Sequence, residues 1–240
     1  MRIIDFFSMH STEIVIGLIS SIVFAIIAIF YKSIKAKIKD LFILMGSKKK
    51  LCKRILNAGI SNFYVGRNEW LLYRNPPNLT DYLLTATKSV QIATYWLAQG
   101  TIEGVQSAYI DLASRGIVVD IVMIDSMGGL PSILSSDIKT PPEVIKQNVE
   151  NSLSALNTLR DGMPPETRRY FRIGVSKSLP QAAAILIDAG EKTSKLQLEF
   201  RPHGLPRSKS FSLELVPQSK ESLHTILELA WRSFFDDANY

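Results

Sequence analysis

Cysteine is nearly absent: Cys52 is the single one in 240 residues. That excludes a disulfide scaffold and a cysteine-rich zinc site. Histidine is scarce as well. His10, His203 and His224 lie too far apart in sequence for a local metal cluster, and no metal or other cofactor is expected. Low-complexity stretches are missing, and with 46% apolar and 21% charged residues the chain is neither disordered nor fibrous. Most of the chain also lacks net charge. Residues 1–54 carry ten Lys/Arg against three Asp/Glu, whereas the remaining 186 carry 18 against 19. The formal charge of +6 therefore sits in the N-terminal segment. The neutral remainder does not favour nucleic acid as a partner.

One stretch lacks charge altogether. Ile14 to Tyr31 reads IVIGLISSIVFAIIAIFY, 18 residues. As a helix it would be about 27 Å long, close to the roughly 30 Å hydrocarbon core of a bilayer. The expectation is an N-terminal tail and transmembrane helix over 1–31. Nine basic residues follow, from Lys32 to Arg54, against Asp40. By the positive-inside rule they place the C-terminal domain in the cytoplasm, as a single-pass protein of the inner (plasma) membrane. Ile34, Ile38, Leu41, Phe42 and Met45 recur at helical spacing. Residues 32–78 are thus read as a basic juxtamembrane helix and linker, with membrane lipid as a partner. Its last part, 57–78, is a linker or edge element ending in the breaker Asn75-Pro76-Pro77-Asn78.

From residue 79 the pattern is that of an α/β domain. A short helix capped by Asn78 or Thr80 leads to a strand, SVQIATYW. A helix from Glu103 to Arg115 stops at Gly116 and precedes IVVDIVMID, a near-continuous apolar run suited to a buried parallel strand. Strand, helix and strand in this spacing form a right-handed βαβ unit. After Met127-Gly128-Gly129 a loop is expected, then a helix from Pro142 to about Leu159. Four strands follow: YFRIGVS, AAAILIDA, KLQLEFR and FSLELV. A terminal helix over about 221–235 would turn Leu223, Ile226, Leu227, Ala230, Trp231 and Phe234 inward. Such a sheet needs helices on both faces.

Asp81 to Tyr240 resembles one repeat of the phospholipase D superfamily. ATKSVQIATYW with LASRGIVVDIVMID resembles its opening βαβ, LPQAAAILID stands where the family has H-x-K-x-x-x-x-D, and FSLELV with Trp231 matches its closing strand and helix. The full fold class is then an N-terminal transmembrane helix followed by a mixed-sheet phospholipase D-like domain, 79–240. Aligned on Asp188, the family's histidine nucleophile is replaced by Gln181 and its phosphate-binding lysine by Ala183. A glutamine amide cannot attack phosphorus, and alanine has no charge to offset a phosphoryl group. The family's downstream G-S-x-N-type motif is replaced by Arg201, Pro202, His203 and Gly204.

The resemblance therefore implies a catalytically silent, membrane-tethered module that binds an anionic, phosphate-containing ligand or a protein partner. It suggests settings such as bacterial accessory or defence proteins. Gln181, Arg201, His203 and Arg207 are the candidate ligand-binding residues. The alternative is a membrane-bound phosphodiesterase, a phospholipase or nuclease, rebuilt around His203 with Asp188. A single repeat also implies a homodimer, with the Gln181–Asp188 strand near its partner. Tyr95-Trp96, at the C-terminal end of a strand, are placed to line a pocket or to pack in the core.

Overall fold

The computed structural model describes residues 48–65, 78–204 and 209–240. The chain divides into two compact units, Met1–Arg54 and Ile55–Tyr240, and the second holds the sheet. Among its described residues seven strands and six helices alternate: β1 Ile60–Val65, α1 Leu79–Leu84, β2 Ser89–Thr94, α2 Gln99–Ser114, β3 Val118–Ile124, α3 Leu130–Ile138, α4 Pro142–Asp161, α5 Pro165–Arg168, β4 Phe171–Ser176, β5 Ala183–Ile187, β6 Lys195–Phe200, β7 Phe211–Leu215 and α6 Leu223–Asp236.

The strands form one mixed sheet in the order β1-β7-β6-β5-β2-β3-β4. β2, β3 and β4 run parallel, joined by helices because a parallel crossover needs a long connection. β2–β5, β5–β6, β6–β7 and β7–β1 are antiparallel. β5 is thus an interior strand, hydrogen-bonded on both edges, and offers a partner molecule only its ends. β3, the most apolar strand, is buried at six of its seven positions, as a strand covered on both faces should be.

Two layers cover the sheet. On one face α1, α2 and α4 bury Leu83, Tyr109, Leu112 and Leu156 against Val90, Ile92, Val119 and Ile121. On the other, Trp231 and Phe235 of α6 pack on Ala93, Val122, Ala184, Leu186 and Leu198. A third cluster joins Leu134 and Ile138 of α3 to Ile145 and Val149 of α4, with Tyr95 and Trp96 packed against it. Glycine is required where the chain folds back on itself. A Cβ at Gly174 would stand 3.0 Å from the Asn239 carbonyl and 3.1 Å from the Tyr240 ring, where the C-terminal residues pair with Val175 on the edge of β4.

Four expectations are corrected. First, the stretch read as linker or edge element holds the edge strand β1, paired with β7, as the edge alternative has it; what is corrected is the boundary, since the unit that holds the sheet starts at Ile55 and not at residue 79. Second, the expected loop after Gly129 is the helix α3, which has no side-chain cap; Pro131 in its first turn is a start signal, set in a glycine-containing stretch that reads as a loop. Third, of the expected inner face of α6, Leu223, Leu227, Trp231 and Phe234 do pack on the sheet, joined by the buried His224, Glu228 and Phe235, while Ile226 and Ala230 face outward. Fourth, the described residues form a seven-stranded mixed α/β sheet and not a membrane helix followed by a domain. Among the described residues no helix is long and apolar enough to cross a membrane. α4, with 20 residues, has the length of about 30 Å but carries Glu143, Lys146, Glu150, Arg160 and Asp161; α6 has only 14 residues. This overturns the reading as a single-pass membrane protein with a transmembrane helix and an inner-membrane location. The stretch Ile14–Tyr31 on which that reading rested, and most of the basic segment after it, lie outside the described residues.

Candidate functional site

The sheet changes character at β2. On one side its neighbour β3 runs parallel; on the other β5 runs antiparallel. Such a change opens a crevice beyond the C-terminal end of the strand, where neighbouring connections diverge. A small half-open cleft lies there, lined by Thr94, Tyr95, Trp96, Ala183, Glu199 and Arg201. Strand register explains the set. Ala93 pairs with Ala184, and Ala183 with Glu199. Thr94, Ala183 and Glu199 are thereby brought together on one face, and Arg201 follows two residues after Glu199, again on that face.

Each lining group is held in place. The Thr94 hydroxyl donates to the Trp96 carbonyl at 3.2 Å. Ser210 Oγ donates to Glu199 Oε1 at 2.8 Å. The Tyr95 and Trp96 rings, 6.4 Å apart, pack on the cluster of Ile124, Leu134 and Ile138 beside Leu130 and Leu179. Burial pushes the Tyr95 phenol up; Asp137 and Glu199 push it further, and Arg201 pulls against them. Tyr95 therefore stays a neutral hydrogen-bond donor at physiological pH. Among the described lining residues there is one cation, one carboxylate, one phenol and one indole, but no imidazole, thiol or amine. The lining therefore lacks the imidazole that the resemblance gives as the nucleophile of active members. No group of three metal-ligating side chains occurs among the described residues.

The candidate residues distribute unevenly. Ala183 and Arg201 line the cleft. Gln181 is exposed in the bend ahead of β5 and is not among the lining residues. His203 has a side chain 71% exposed, with Nδ1 3.3 Å from Asp137 Oδ1. The backbone N–H of Gly204 donates to the Asp137 carbonyl at 2.9 Å. The loop after β6 is thus fastened to the end of α3, with the imidazole turned outside the cleft lining. Arg207 lies outside the described residues.

Asp188 stands at the far end of β5, about five residues and roughly 16 Å along the strand from Ala183. It is 1% exposed. Its carboxylate accepts from the N–H groups of Thr87 (2.9 Å), Lys88 (2.7 Å) and Ser89 (3.2 Å) and from the Thr87 hydroxyl (2.8 Å). Burial alone would raise this carboxyl; the donors of Lys88, Thr87 and Ser89 outweigh it and hold it below its ordinary value. Every lone-pair direction is occupied within the chain, so Asp188 fastens β5 to the entry of β2. It is too remote to act with His203.

Sequence reasoning did not single out Glu199, Thr94 or Asp137. Glu199 had a readable signal: in KLQLEFR the polar Gln197 and Glu199 alternate with Leu196 and Leu198, a polar face in a strand that is interior to the sheet. Asp137 had none, because its partner is 66 residues away and its helix starts in a stretch that reads as a loop.

No protein-family model and no curated protein matches the sequence. Solved structures are distantly similar, two of them as follows. One is TrmBL2, an archaeal chromatin protein, at 10% identity and a TM-score of 0.40, covering 82% of this chain and 61% of that one. The other is polyphosphate kinase from Porphyromonas gingivalis, at 16% identity and a TM-score of 0.38, covering 67% of this chain and 24% of that one. This chain thus spans less than two thirds of the length of either. Likeness at this level says nothing about chemistry, which is read from the residues alone.

Proposed function

We propose that the domain is a catalytically silent, phospholipase D-like module that binds a small anionic ligand in the cleft at the end of β2. One observation carries the reading. Ala183, at the position where the resemblance puts a phosphate-binding lysine, lines the same cleft as Arg201. The site has exchanged an amine for a methyl group while keeping a guanidinium, a group suited to oxyanions. Tyr95 and Trp96 supply aromatic surface for an organic part of the ligand. Glu199 sets a limit on charge: beside one cation it disfavours polyanions and suits a ligand with a single anionic group. Nucleic acid and polyphosphate fit such a lining poorly.

Isothermal titration of the full chain with p-nitrophenyl phosphate, and with inorganic phosphate as a second probe, tests the binding. Arg201→Ala should weaken it about tenfold, equivalent to about 1.4 kcal/mol, and Trp96→Ala should weaken p-nitrophenyl phosphate more than inorganic phosphate. The same protein should release no nitrophenolate from bis(p-nitrophenyl) phosphate. Turnover of that diester, abolished by His203→Ala, would instead establish a phosphodiesterase built around His203. No binding and no turnover would leave a protein-interaction scaffold.

A further inference from the structure

The apolar pattern of α6 is wider than the face it buries. His224, Glu228, Trp231 and Phe235 point into the protein. On the opposite side Ile226 and Leu229 are 58% and 62% exposed, and Ala230 and Ser233 are exposed beside them. The spacing i, i+3, i+4, i+7 makes these four a continuous stripe along the helix. Two large side chains lie toward one end and two small ones toward the other.

The charges at the two ends of α6 run against the helix dipole. The last turn carries no basic residue; Asp236 and Asp237 are exposed there instead, at the negatively polarised end where anions are unfavourable. The first turn carries no acidic residue, and just ahead of it the exposed Lys220 and Glu221 cancel. At the first turn Ser222 Oγ accepts from the Thr225 N–H but no negative charge is added within the helix, and at the last turn no positive charge offsets Asp236 and Asp237. A second α6 laid antiparallel compensates both, since it sets each acidic end against the positive end of its neighbour. The same arrangement places large residues of the stripe over small ones.

We propose that the outer face of α6 is a homodimer interface, an isologous antiparallel α6–α6 contact whose two-fold axis passes between Leu229 and Ala230. Ile226 of one copy lies beside Ser233 of the other, and Leu229 covers Ala230. Asp236 and Asp237 approach the N-terminus of the second helix. This contact is independent of the ligand reading. α6 packs on the sheet face of Ala93, Ala184 and Leu198, whereas the cleft takes the alternate residues Thr94, Ala183 and Glu199.

Cross-linking of the purified full chain tests the interface, in a Cys52→Ser background that removes the single native thiol. Ala230→Cys should form a disulfide-linked dimer on mild oxidation, because the two copies of this position flank the axis. Ser154→Cys, on the exposed side of α4, should not. Adding Leu229→Lys to Ala230→Cys should lower the dimer yield at least tenfold, and Asp236→Lys with Asp237→Lys should lower it by a smaller factor. All five of these positions are exposed, so helix content by circular dichroism should stay unchanged. A monomeric Ala230→Cys protein, equal cross-linking through Ser154→Cys, or a yield indifferent to Leu229→Lys would each overturn the proposal.

Discussion

The two ends of β5 are built for opposite purposes. At its far end Asp188 is fully buried, and three backbone N–H groups and a hydroxyl converge on it. At the near end Gln181 is exposed and Ala183 is a half-buried methyl in an open cleft. In the family the sequence resembles, one motif spans both ends. Here the residue with a folding duty stands unchanged, and the two with chemical duties are replaced. The difference separates the parts of an active site that hold a sheet together from the parts that act on a substrate.

The largest effect should come from breaking the far end. Asp188→Ala removes the buried carboxylate that the N–H groups of Thr87, Lys88 and Ser89 share as acceptor. With hydrogen bonds to a charged group worth about 1.5–3 kcal/mol, the loss should be about 2–3 kcal/mol, measured as a shift in denaturant midpoint at constant slope. A change below about 1 kcal/mol would refute the fastening role.

Acid should reveal a related contrast. The Asp188 carboxyl is held below its ordinary value, so it stabilises the fold above the unfolded-state value of about 4. That contribution disappears as the pH falls through the native value. His224 on α6 has no exposed surface, and its ring nitrogens lack hydrogen bonds, with Nδ1 3.5 Å from Glu228 Oε2. Burial drives this imidazole down, and Glu228 only partly restores it. The unfolded chain then binds a proton more readily than the native one. Stability should therefore start to fall as the pH drops below about 6.5, well before Asp188 is protonated. His224→Gln should remove the upper limb of the stability–pH curve and leave the lower one; a curve flat between pH 6.5 and 5 in the wild-type chain would contradict this.

Refilling the near end should change binding and leave the fold nearly untouched. Ala183→Lys adds a second cation to the cleft and should tighten inorganic phosphate about tenfold by titration, with stability altered by less than about 1 kcal/mol, since a half-exposed position tolerates a long side chain. The smallest effect belongs to Gln181→Ala. An exposed side chain outside the cleft lining should alter stability by no more than about 0.5 kcal/mol, and ligand binding not at all.

The contrast between the ends also accounts for what the sequence made legible. β2 to β7 announce themselves through apolar runs and alternation, and Gly116 with Pro141-Pro142 marks two helix limits. Asn78 is the cap of α1, where it accepts from the N–H of Asp81 at 2.8 Å. α2 begins four residues before the expected Glu103 because its cap, Ala98, has no side-chain hydrogen bond. α6 is found with most of its inner face, since Leu223, Leu227, Trp231 and Phe234 pack inward; His224 and Glu228 take inner positions that a polarity rule assigns to solvent, because they face each other one helical turn apart. In the site, Ala183, Arg201 and the Tyr95-Trp96 pair were readable from motif position and strand ends. Glu199 was signalled by alternation, but its place beside Ala183 follows from strand pairing, and the Asp137–His203 contact joins residues 66 positions apart, which local pattern does not encode.

The fastening at Asp188 bears on the order in which the chain can become native during synthesis. Its carboxylate and the Thr87 N–H are separated by 101 residues. While β2, α2, β3, α4 and β4 are made, the entry to β2 has no carboxylate to receive its amides, and β2 has a free edge where β5 will lie. At about 5–20 residues per second, that edge stays open for roughly 5–20 s. A nascent βαβ intermediate therefore waits with one strand edge exposed, and this interval is when the protein is most open to chaperone capture or to pairing with another unfinished chain.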